Sequence, residues 1–120
     1  MEKKKLKITI ITNDSKSEYN TLGNYDKEKE ILSYQEKLDL ITNVLVKKKE
    51  KEIIRDNKDF NMKCYFDINK ETTNTIYLKE LDSTIDIKIK TVNYNYDNNK
   101  LEIEYILMDS KDKVYYKIEY

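Results

Sequence analysis

Glu36 and Arg55 are the two residues of this sequence whose chemistry stands out. Both sit on strand faces shared with apolar residues, Glu36 with Leu32 and Arg55 with Ile53. A carboxylate or guanidinium turned toward an apolar interior is costly alone and demands a partner. On the third and fifth strands of a meander the two would stand about 9–10 Å apart, two strand spacings. Two long side chains can meet across that gap. Three readings follow: an internal ion pair, residues at a barrel rim in water, or a polar anchor for a ligand head group, such as a carboxylate held on Arg55. On the anchor reading Arg55→Met abolishes binding. The candidate ligand-binding set inside the fold is Tyr34, Glu36, Arg55, Tyr77, Thr91 and Tyr105.

Cys64 is the other reactive type. It shares one strand face with Phe60, Met62 and Phe66, alternating with Asn61, Lys63 and Tyr65, so it reads as a small buried hydrophobe rather than an activated thiol. Other chemistry is missing. The chain has no histidine, the commonest general base and metal ligand. With one cysteine it can form neither an intrachain disulfide nor a cysteine-rich zinc site. Spacings such as Glu102 and Glu104 are those of a wet strand face. No nucleophile–base constellation or phosphate-cradling glycine loop occurs, and Gly23 is the only glycine. The expectation is a protein without catalytic residues, metal or cofactor.

Charge narrows the partners. Lys and Arg number 23, as do Asp and Glu. There is no basic surplus to hold a phosphate backbone, which also counts against single strands stacking on the tyrosines. The run Lys47 to Lys51 reads as a solvated hairpin tip. No stretch approaches the ~20 apolar residues of a membrane span. The patch in MEKKKLKITIIT is too short and interrupted for a secretory signal. A cytoplasmic protein, contacting neither membrane nor nucleic acid, is expected.

The elements that must position these residues are strands. From Ser83, Ile85, Ile87, Ile89 and Thr91 fall on one face, with Asp86, Lys88 and Lys90 on the other. This is a period of two. From Val92 the phase reverses: Val92, Tyr94 and Tyr96 are now the apolar positions. A one-residue slip flips every side chain, and a β-bulge near Thr91–Val92 is the cheapest repair. After Asp97-Asn98-Asn99, Leu101, Ile103, Tyr105 and Leu107 complete a hairpin. Similar alternation marks Leu6–Thr12, Tyr19–Tyr25, Ile31–Lys37, Leu40–Lys47, Glu52–Arg55, Phe60–Phe66, Thr75–Glu80 and Val114–Tyr120. Asn13–Ser17, Asp56–Asp59 and Asp67–Asn74 read as turns or loops, with Asn57 standing in for glycine at positive φ. Only Asp26 to Leu40 competes for helix, and Ile31, Leu32 and Tyr34 decide for strand. Gly23 inside a strand signals a bulge, a sharp coil or a close approach. About ten short strands with short connections predict one domain over residues 1–120: a single up-and-down antiparallel β-barrel of about 8–10 strands.

The order of several features resembles the YwiB-like family of uncharacterised bacterial proteins. They are the Tyr19–Gly23–Tyr25 strand, Leu32-Ser33-Tyr34-Gln35-Glu36, and Ile53-Ile54-Arg55 followed by Met62 and Phe66. Tyr77, Thr91, Ile103-Glu104-Tyr105 and the final Ile118 and Tyr120 complete the set. Asn57 and Asp82–Ser83 stand where the family tends to carry glycine. The resemblance implies a calycin-like barrel, the architecture of lipocalins and fatty-acid-binding proteins, and no activity. Two functions fit a barrel of this size. One is a ligand-binding barrel taking a small molecule inside or at its mouth. The alternative is a filled barrel that self-associates, as a homodimer, through Tyr94, Tyr96, Tyr115 and Tyr120 or through the edge of its last strand.

Overall fold

The computed structural model describes all 120 residues and contains only strands and turns. The strands are β1 (Glu2–Thr12), β2 (Ser15–Asp26), β3 (Ile31–Lys37), β4 (Ile41–Lys47), β5 (Glu52–Asp56), β6 (Phe60–Tyr65), β7 (Glu71–Leu78), β8 (Ser83–Tyr96), β9 (Lys100–Leu107) and β10 (Lys113–Glu119). Each pairs antiparallel with the next, and β10 returns to β1 through a ladder from Lys7↔Glu119 to Thr12↔Val114. The result is a closed up-and-down barrel. Closure pairs both edges of β10, so the last strand offers none for self-association.

Alternation buries one face of each strand, and the inward residues form a single core. The phase reversal in β8 is a bulge. Thr91 pairs with Tyr105 and Asn93 with Glu104, leaving Val92 as the extra, exposed residue. The bulge turns Ile87, Ile89 and Thr91 inward before it, and Tyr94 after it.

The structure departs from expectation at several places. β1 begins at Glu2, β2 at Ser15 and β7 at Glu71, each earlier than polarity suggests. The added residues are mostly polar on both faces, so no alternation announces them; their backbone pairing with neighbouring strands makes them strand. Asn57 does not adopt positive φ; that role falls to Asn13, Glu30, Lys51, Asp82 and Lys111. Asn57 is instead buried. Its side-chain oxygen accepts the N–H groups of Asp59 and Phe60, each at 2.9 Å, and its amide donates to Thr42 Oγ1 at 3.1 Å.

Two ladders are short. β2 pairs with β1 along Glu2↔Tyr25 to Thr12↔Ser15, yet meets β3 only from Gly23↔Tyr34 to Asp26↔Ile31. β6 and β7 pair only from Phe60↔Leu78 to Lys63↔Thr75. Gly23 marks where β2 first meets β3. A Cβ there would lie 2.6 Å from Leu6 Cδ1 and 2.7 Å from the Ser33 carbonyl oxygen. Gly23→Ala is therefore expected to cost about 1–3 kcal/mol, as overpacking does. A urea midpoint equal to that of the unsubstituted protein would refute the close approach.

Candidate functional site

The barrel has two unlike ends. At the end carrying the turns after β2, β4, β6 and β8, the inward side chains are sealed. Leu6, Ile8, Leu32, Val46, Leu101 and Ile118 are fully buried there. Lys48 closes this end. It continues the inward phase of Thr42, Val44 and Val46, and its side chain is wholly enclosed. Its ammonium stands 5.0 Å from the Tyr25 ring centroid, 5.3 Å from Tyr96 and 4.9 Å from Tyr120. It donates to the Asp97 carbonyl at 3.1 Å and to the Tyr120 hydroxyl. No carboxylate pairs with it; the negative faces of three rings and a carbonyl take that place. The reading of Lys47 to Lys51 as a solvated tip is thus corrected at Lys48.

Toward the other end the barrel holds a cavity of about 240 Å³. Its walls include Ile53, Met62, Cys64, Phe66, Tyr105 and Tyr116. The inward residues Ile10, Met62, Ile87 and Leu107 remain partly exposed, which leaves this end open. Asn74 also lines it, in β7, directly beyond the last β6–β7 pair. Asn74 is only 5% exposed, and its Oδ1 is the one buried side-chain polar atom of the protein without a hydrogen-bond partner. Leaving such an atom unmet costs about 1–3 kcal/mol. A larger concavity, about 780 Å³, lies outside the barrel over the β2–β3 seam and involves Leu22, Asn24, Gln35 and Lys37. Leu22 and those polar residues face outward, so that concavity does not enclose a ligand.

Beside the cavity a polar cluster ties β2, β3, β5 and β10 together. Arg55 Nη1 donates to Glu36 Oε2 at 3.1 Å, and the Tyr19 hydroxyl donates to the same oxygen at 2.6 Å. The Tyr34 and Tyr116 hydroxyls hydrogen-bond to each other, and the Arg55 guanidinium lies 5.6 Å from the Tyr116 ring centroid. Tyr19 and Glu36 thus bridge β2 and β3 where their backbones no longer pair. Burial holds the Tyr19, Tyr34 and Tyr116 hydroxyls above their usual range, so they stay protonated.

Burial pushes the Cys64 thiol up to about 11 and the Tyr105 hydroxyl up to about 12. The alkaline consequence has a definite sign. Unfolded, the thiol ionises near pH ~8.5. Above that the unfolded chain holds fewer protons than the folded one, so stability falls as pH rises from about 8.5 to 11, by on the order of 3 kcal/mol. Urea midpoints from pH 7.5 to 10.5 should decline more steeply for the native sequence than for Cys64→Ala. Superposable profiles would remove Cys64 as the cause.

Of the six candidate residues, Tyr34, Glu36 and Arg55 come together in the polar cluster, and Arg55 and Tyr105 line the cavity. Tyr105 packs on Phe66 with ring centroids 5.4 Å apart. Thr91 is buried, but its hydroxyl accepts the Asp67 N–H at 3.2 Å and anchors the β6–β7 loop. Tyr77 is misplaced in the candidate set. In β7 the even positions point inward, so Tyr77 faces solvent, where it donates to Asp82 Oδ1 at 2.6 Å. The proposed tyrosine patch also fails to form. Tyr94 and Tyr120 turn into the barrel, while Tyr115 lies outside and donates to Glu102. Asn74 and Lys48 were missed. Lys48 carried a signal in the unbroken phase of β4; Asn74 carried none.

No family model matches the sequence, and no curated protein matches it. Among solved structures, the crystal structure of the ywiB protein from Bacillus subtilis matches with a TM-score of 0.69 and 22% identity. The match covers 95% of this chain and 87% of that one. At that identity the likeness is one of fold: this chain has the barrel architecture of YwiB.

Proposed function

We propose that this barrel is a non-catalytic binding protein that holds one small molecule in the cavity at its open end. One observation carries the reading. The interior is packed and sealed by Lys48 at one end, yet toward the other it holds an apolar-walled cavity of about 240 Å³ with an unmet Asn74 Oδ1. A filled structural barrel has no use for that asymmetry. A ten-strand meander with one open mouth also accords with calycin-like ligand carriage, which is part of this proposal. The high thiol pKa of Cys64 supports binding over catalysis there. Native mass spectrometry on protein freshly purified from its own cells tests it. An added mass lost on denaturation is expected. Protein that is bare, and whose Met62 methyl resonance no small molecule shifts, would end the proposal.

The β2–β3 seam favours a second reading, a homodimer. Asn13 N donates to the Lys113 carbonyl, so odd residues of β1 bond β10 and even ones bond β2. The β1–β2 register then leaves Lys16, Glu18 and Asn20 of β2 with N–H and C=O groups turned to the open edge. Two copies paired antiparallel about Ser17 would set Lys16 opposite Glu18 twice. Sedimentation should show a dimer that Glu18→Lys weakens. A monomer at every concentration sinks this reading.

A further inference from the structure

We infer that the ligand of the open-end cavity is uncharged and carries a hydrogen-bond donor for Asn74 Oδ1 together with an acceptor for Arg55. The inference rests on the binding role proposed above and names its ligand class.

Charge comes first. Arg55 is the only charged side chain among the cavity walls, and Glu36 already pairs with it. The pair sums to zero. A carboxylate ligand would have to share Arg55 with Glu36, leaving one negative charge unmatched in an apolar site. The expected carboxylate on Arg55 is therefore disfavoured by the partner that Arg55 already has. A neutral group meets no such conflict.

Hydrogen-bonding capacity comes second. Asn74 Oδ1 is buried and can only accept, so relief must come from a donor. Arg55 has five N–H donors, and its one side-chain hydrogen bond runs from Nη1 to Glu36. A head group with both a donor and an acceptor answers the two together. Primary amides and hydroxyls do so.

Size and wall chemistry come third. An apolar cavity of about 150 Å³ holds benzene, with its six carbons. Scaled to the cavity of about 240 Å³, that is about ten non-hydrogen atoms. Phe66, Tyr105, Tyr116 and the sulfurs of Met62 and Cys64 suit the edge and face of one aromatic ring.

Three probes of nearly equal size separate the possibilities: benzamide, benzoate and isopropylbenzene, titrated at pH 7.5 against the Met62 methyl resonance. Benzamide should bind about tenfold or more tightly than either of the others. Asn74→Leu should lose that advantage for benzamide. Benzoate binding more tightly than benzamide would overturn the neutral-ligand inference. So would equal binding of benzamide and isopropylbenzene, a comparison that needs no variant. In both cases the cavity would still be a binding site. No shift with any probe would overturn the binding role itself.

Discussion

Lys48→Ala is expected to destabilise the protein by about 3–5 kcal/mol, the range of the largest core truncations. The side chain is fully buried, so removing it leaves a void at the sealed end of the barrel. It also removes the charged donor to the Asp97 carbonyl and the Tyr120 hydroxyl, and the cation between the Tyr25, Tyr96 and Tyr120 rings. Lys48→Met separates these terms. It keeps the stem and loses the charge, at about 1–3 kcal/mol for the desolvated cation–π contacts and charged hydrogen bonds. Urea unfolding measures both variants. Propylammonium ion, which mimics the missing side chain, should raise the midpoint of the alanine variant and leave the native sequence unchanged. A methionine variant as stable as the native protein would mean that only the hydrocarbon stem matters.

Arg55→Met is the second large effect, with an expected cost of about 3–5 kcal/mol. The pair is largely enclosed, with side chains 17% and 15% exposed. Removing the guanidinium strands the Glu36 carboxylate with one neutral donor, the Tyr19 hydroxyl. Removing both charges should recover most of the loss, because the penalty belongs to the orphaned partner rather than to the bond. Glu36→Gln with Arg55→Met is therefore expected to be more stable than Arg55→Met alone. A double variant whose loss equals the sum of the single losses would show that the two residues act independently. The same variants show why loss of binding in Arg55→Met alone would not identify an anchor: the polar cluster beside the cavity would be disturbed as well.

The strand pattern was legible because it is local. Alternation placed the cores of nearly all ten strands, and the phase reversal at Thr91–Val92 announced the bulge, since each residue's polarity reports the face it occupies. The partnership of Glu36 and Arg55 was legible in part for a related reason, as two charges on apolar faces two strands apart could reach each other. The pattern was silent where no face is buried, at Ser15–Glu18 of β2, and weak along Glu71–Asn74 of β7.

The site was legible only in part. Tyr77 was misread because tyrosine suits either face of a strand; Ile76 and Leu78 on its two sides hold the inward face of β7. Lys48 looked like one of several solvated lysines, because its cage is assembled from Tyr25, Tyr96 and Tyr120, drawn from three distant strand ends. Asn74 becomes an unmet acceptor only because no side-chain or backbone donor reaches its Oδ1 inside the closed ring. By itself, then, the sequence determined the cores of the strands, the bulge, the all-β barrel class and the two charges that share apolar faces. Each of these is set by side-chain polarity along a short stretch of backbone. Only the tertiary structure decided which end is sealed, which is hollow and which polar atom is left waiting. Those properties depend on how volumes and hydrogen-bond partners from ten strands add up around a closed ring, a sum that no single stretch of chain contains.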